Sequence, residues 1–170
     1  MSPPPDGHRW LDVTRTLEEH GALDTGCDPS DPARQDRFLE LTWPHLKTTG
    51  VSWIGFYFEA PDTPVEERLV LGPARGGPAC SPIGLHGACG QVHQSGTPLV
   101  VHDVADLGGN YIACDPRDRS ELVIPILTDK RPLGVLDLDS HAVGAFTGED
   151  ARCLEALLVR AGLSAPRSGV

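Results

Sequence analysis

Cys80, Cys89 and Cys114, three of the five cysteines, fall with a set of acids inside one strongly punctuated stretch, residues 71–140. The cysteines sit in Leu71-Gly72-Pro73…Pro78-Ala79-Cys80, His86-Gly87-Ala88-Cys89-Gly90 and Ile112-Ala113-Cys114-Asp115. The acids follow in Arg119-Ser120-Glu121-Leu122-Val123-Ile124-Pro125 and Gly134-Val135-Leu136-Asp137-Leu138-Asp139-Ser140. An odd number of thiols in a chain of 170 residues does not read as a secreted disulfide framework, which leaves catalysis, metal binding or plain packing. Zinc would have Cys80, Cys89 and Cys114 with His86 or His102 as ligands, but the sequence has no Cys-x-x-Cys pair. Cys27, in a loop, and Cys153, near the inward face of the last helix, read as incidental small hydrophobes. His86, His93, His102 and His141 are expected at the surface or in caps.

The elements that must position these groups are legible from periodicity. Residues 1–8 are Pro-rich and expected to be a flexible tail. Trp10, Val13 and Leu17 share one face of a helix over His8 to Gly21, and Asp31-Pro32 starts a second that carries Phe38, Leu41 and His45 inward, kinks or ends near Pro44, and is closed by Thr48-Thr49-Gly50. Val51 to Glu59 reads as a strand, with Ile54, Phe56 and Phe58 on one face and Trp53 and Tyr57 on the other. Arg68 to Gly72 is a second strand, Gly87 to Gln94 a short helix and Thr97 to His102 a brief strand. Asp103 to Arg119 is a long loop, read as a lid or site wall.

Glu121 to Leu127 and Leu133 to Asp139 form a hairpin in which Leu122, Ile124 and Ile126 oppose Glu121, and Leu136 and Leu138 oppose Asp137 and Asp139. The acids are therefore gathered on one side of a sheet. Carboxylates so placed repel one another, so at least one should hold its proton above the usual value of about 4 and can serve as a general acid. Thr147-Gly148-Glu149-Asp150 is a capping-box start for a last helix, and residues 164–170 are expected to be a flexible tail. The order predicts one α+β domain over 9–163, a mainly antiparallel sheet with helices on one face and ligand-site loops on the other.

A formal charge of −10 disfavours nucleic acid and anionic membranes as partners. No N-terminal basic and apolar leader and no run of eighteen apolar residues is present, so a soluble cytoplasmic protein is expected.

The segments Gly72 to Cys80, Ile112 to Asp115, Arg119 to Pro125 and Gly134 to Ser140 together resemble the GAF-domain free methionine-(R)-sulfoxide reductases, over roughly Val51 to Leu158. The resemblance implies reduction of free methionine-R-sulfoxide, not the protein-bound residue, with thioredoxin as reductant, no cofactor and a homodimer. By position, Cys114 matches the cysteine that attacks the sulfoxide sulfur, Cys80 the one that resolves it as a disulfide, and Cys89 a third family cysteine. Trp53 and Tyr57 match the aromatic walls around the methyl-sulfur end, and Glu121, Asp137 and Asp139 the acids of the substrate pocket. The stretch from Cys80 to Cys89 is a residue shorter than the family pattern. The alternative is a GAF-type module that binds a small ligand or senses redox state without turnover; such modules sit beside an output domain, which a chain of this length is not expected to hold.

Overall fold

The computed structural model describes residues 8–111 and 114–168. The Pro-rich tail expected at the N-terminus, up to residue 7, and Ile112 and Ala113 of the Cys114 motif lie outside the described residues.

The helices are α1 (His8–Glu19), α2 (Pro32–Leu46), α3 (Ala88–Ser95) and α4 (Gly148–Arg160); the strands are β1 (Val51–Glu59), β2 (Leu69–Gly76), β3 (Leu99–Val101), β4 (Ser120–Leu127) and β5 (Pro132–Ser140). Local chemistry sets the helix starts. Asp31 accepts from Ala33 N at 2.9 Å with Pro32 following it, and Thr147 and Asp150 close a capping box on α4. The first chain reversals fall at Gly21 and Gly50, whose φ angles of 62° and 93° suit glycine. His45 is half-buried and joins α2 to α1 through Thr16 Oγ1 at 2.8 Å.

The strands form one antiparallel sheet in the order β2-β1-β5-β4-β3. Ile54, Phe56, Leu122, Ile124, Ile126, Leu136 and Leu138 face α1, α2 and α4 and make the larger core. The opposite face is buried too: Trp53, Tyr57, Val123 and Val135 pack with Cys89 and Val92 of α3 and with Val101 and Val104. Loops and the short α3 cover this second face. No described helix is long and apolar enough to cross a membrane.

Two expectations change. Ser164 and Ala165, assigned to a loose tail, are buried: Ser164 Oγ accepts from Leu127 N at 2.9 Å and Ala165 N donates to Leu127 O at 2.8 Å. They cover the outer edge of β4 beyond the end of the short β3. His93, expected at the surface, is buried on α3 with Nε2 3.8 Å from Glu59 Oε1, and burial pushes its imidazole down.

α3 is seated by Gly90, where a Cβ would stand 2.3 Å from the backbone of Leu85. Gly90→Ala is therefore expected to cost more than about 2 kcal/mol of stability in denaturant titration, since backbone cannot yield as a side chain does. Unchanged stability would mean that α3 is free to shift on the sheet.

Candidate active site

Strand alternation turns the acids toward α3 and the loops. Leu136 and Leu138 enter the helix-side core, so Asp137 and Asp139 point the other way. In the β1–β5 ladder Asp139 stands opposite Trp53 and Asp137 opposite Gly55, and in the β4–β5 ladder Glu121 stands opposite Asp139. Trp53, Asp139 and Glu121 thus form a row across three strands, with facing side chains about 5 Å apart at Cβ. At Gly55 a Cβ would lie 2.4 Å from the Trp53 indole, so the glycine lets that ring lie against the strand. Tyr57, two residues further on the same face, holds its ring 5.9 Å from the indole centre.

Cys89 reaches this row from α3, its thiol donating to Asp137 Oδ2 at 3.2 Å; Asp137 Oδ1 is buried and has no partner among the described residues. The Cys80 segment is fastened to the sheet: the Tyr57 hydroxyl donates to Cys80 O at 2.6 Å, Leu71 N donates to Ser81 Oγ at 3.0 Å, and Ile83 pairs with Leu69. Cys80 and Cys114 are joined as a disulfide with 5.4 Å between their Cα atoms, within the reach of about 7 Å such a bond allows. Both are half-buried, and Pro78 and Ala79 beside Cys80 are exposed. Cys27 is exposed and Cys153 lies on α4 beside Glu149, both away from this site.

Trp53, Tyr57, Cys89, Cys114 and the three predicted acids line one cavity, and Cys80 meets it through the disulfide. Two further lining residues, Tyr111 and Asp118, escaped the sequence reading because both belong to the aperiodic 103–119 loop. Their signal was position: three residues before Cys114 and three before Glu121. The cavity measures about 30 Å³, room for one or two waters.

Burial dominates the electrostatics. It pushes the Asp137 carboxyl up to about 7 against the hydrogen bonds from its neighbours, and it raises Glu121 and Asp139 well above the carboxylate range, with Asp137 the next cause for each. Burial, then the Asp137 charge, keeps the Cys89 thiol and the Tyr57 hydroxyl protonated. The pocket therefore holds buried acids that keep their protons beside an Asp137 that gives its proton up near neutrality, an arrangement able to protonate an oxygen and to seat a cationic group.

Among the described residues, two triads lie close enough to hold a cation, with atoms within 4.8 Å of one another: Cys89, Glu121 and Asp137, and Asp115, Asp118 and His141. Neither donor set fits a metal well. The first would have to give up protons that burial holds in place. In the second, the Arg117 guanidinium already engages both Asp115 oxygens at 3.0 and 2.8 Å. Zinc through Cys80 and Cys114 conflicts with their disulfide, which leaves no thiolate to ligate.

Residues 35–163 match the family described as GAF domain. The free methionine-R-sulfoxide reductase of Escherichia coli (strain K12) is 38% identical over 116 residues, 67% of this chain and 66% of the relative. That of Saccharomyces cerevisiae is 36% identical over 121 residues, 69% and 66% of the two chains, so the match spans just under two thirds of these relatives. The free methionine-R-sulfoxide reductase of Neisseria meningitidis, solved in complex with its substrate, superposes with a TM-score of 0.75 at 30% identity over 92% of this chain and 90% of that one. The chain thus belongs to the GAF-domain free methionine-R-sulfoxide reductase family.

Proposed function

We propose that the protein reduces free methionine-(R)-sulfoxide to methionine, as a cytoplasmic homodimer recycled by thioredoxin. The observation that carries this reading is a disulfide between Cys80 and Cys114 closed over a cavity lined by Trp53, Tyr57 and buried, proton-holding acids.

Each step follows from these groups. The Cys114 thiolate attacks the sulfoxide sulfur while an acid among Glu121, Asp137 and Asp139 gives its proton to the oxygen. The hydroxyl passes from the sulfoxide sulfur to the Cys114 sulfur as the bond between the two sulfurs breaks, so methionine leaves and Cys114 is left as sulfenic acid. The Cys80 thiol attacks that sulfur, water departs and the disulfide forms; a thioredoxin dithiol then takes it over by exchange. The proton that left Cys114 restores the acid, so one sulfoxide and two thiols become one sulfide, one disulfide and one water. Trp53 and Tyr57 supply the apolar walls for the methyl end. The ionised share of the carboxylates suits an ammonium group, which a free amino acid carries and an internal residue lacks.

The reading is tested by thioredoxin-coupled NADPH oxidation with free methionine-R-sulfoxide, free S-sulfoxide and N-acetylated R-sulfoxide. Turnover confined to the free R form is expected. Absence of turnover with all three, in folded and reduced protein, would sink it and leave a ligand-binding or redox-sensing module.

A further inference from the structure

The two cysteines of the disulfide sit on differently anchored segments. Cys80 is held by hydrogen bonds from Tyr57 and around Ser81, whereas Cys114 rides on a turn that is mostly bonded to itself. Asp115, directly after Cys114 and 4% exposed, accepts from Arg117 N at 3.0 Å and from the Arg117 guanidinium, and Asp118 N closes the turn on Asp115 O at 3.2 Å. Among the described residues, Arg119 N donates to Ser140 O at 2.8 Å and Ser52 Oγ to Asp118 Oδ1 at 3.3 Å, which ties this turn to the sheet. A further tie is His141, the residue after β5, whose Nε2 lies 3.3 Å from Asp115 Oδ2 and 3.6 Å from Asp118 Oδ1.

We propose that His141 is a positioning residue for the redox loop, its imidazole clamping Asp115 and Asp118 to the end of β5 so that Cys114 stays over the pocket. This rests on Cys80 and Cys114 being the redox pair. One ring is shared by two carboxylates, both nine-tenths buried, on either side of the turn. The charges facing it are Asp115 and Asp118 on the loop and Arg117, which is committed to Asp115; Asp139, two residues back on β5, is held protonated by burial, and Ser52 from β1 adds an uncharged hydroxyl. With one arginine against two acids, an imidazolium is drawn in more strongly than a neutral ring. The His141 side chain is 41% exposed, so solvent reaches the ring without the pocket opening. Since the cavity of about 30 Å³ cannot admit a methionine sulfoxide, the turn must release in each cycle, and the strength of the clamp sets how readily it does. An imidazolium attracts both carboxylates, whereas a neutral ring donates from one nitrogen to one of them, so the clamp is tightest in acid.

The test uses oxidised full-length protein and a neutral reductant, tris(hydroxypropyl)phosphine, with the disulfide followed by alkylation and mass. Wild type, His141→Gln and His141→Lys are compared from pH 5.5 to 8.5. His141→Gln is expected to be reduced about two- to five-fold faster than wild type at the acid end and equally fast at the alkaline end. His141→Lys, which keeps its charge, should stay slow throughout. A wild-type to Gln ratio that does not change with pH, or a Lys variant that tracks Gln, overturns the proposal. A missing disulfide overturns it together with the redox pair. Loss of sulfoxide turnover with the pH-dependent ratio intact removes only the reductase reading.

Discussion

Cys80→Ser is expected to release about one equivalent of methionine per chain and then stall, with Cys114 trapped as sulfenic acid by dimedone. The attack on sulfur and the departure of oxygen need only Cys114 and an acid, so the first half of the cycle survives. The condensation that clears the sulfenic acid needs the second thiol. Cys114→Ser removes the attack itself and should lower turnover at least about 10³-fold without unfolding the protein. Cys89 is the internal control. Its thiol is committed to Asp137 at 3.2 Å and held protonated by burial, which makes it a poor partner for an electrophilic sulfur. Continued multiple turnover by Cys80→Ser in a rapid-quench assay would assign resolution to Cys89; undiminished turnover by Cys114→Ser would remove Cys114 from the chemistry altogether.

Stability should fall as pH rises through the range where the buried acids ionise, opposite to the usual behaviour of salt-bridged carboxylates. A group whose folded pKa is raised binds its proton more tightly in the folded chain, so its contribution is complete below the unfolded value and is lost as pH rises through the folded one. For Asp137 this window runs from the ordinary value of 3.8 to about 7. The corresponding loss is on the order of 4 kcal/mol for that carboxyl alone, or roughly 8–16 °C in Tm for a domain of this size. Glu121→Gln keeps the shape and removes one of the coupled charges. It should therefore raise Tm at pH 8 relative to wild type, leave it nearly unchanged at pH 5, and lower sulfoxide turnover if Glu121 is the proton donor. Differential scanning calorimetry across pH 4.5–8.5 decides the first part. A wild-type Tm that is level over that range would show that the acids ionise at little cost.

The two predictions draw on features that were unequally legible. Leucines and isoleucines at every second position of β4 and β5 leave Glu121, Asp137 and Asp139 nowhere to point but away from the helix-side core, and the same alternation sets Trp53 and Tyr57 against Ile54 and Phe56. The caps at Asp31 and Thr147 are equally local. The second buried face was hidden, because Val123 and Val135 look like ordinary strand residues until α3 and the loops are laid over them. His93 and Ser164 were misread for a related reason, since their neighbours Glu59 and Leu127 are far away in sequence.

By itself the sequence determined which side chains share a face, where the helices begin, and which thiols and acids are near enough in kind to do redox chemistry. Those properties follow from the two- and 3.6-residue periods and from the reach of a side chain to its own backbone. Only the tertiary structure decided that Trp53, Asp139 and Glu121 stand in one row, that Cys89 donates to Asp137 across 48 residues, that Tyr111 and Asp118 join the cavity wall, and that Asp115 and Asp118 converge on His141. Strand order, register and loop placement are set by the packing of the whole core, and no local period encodes them.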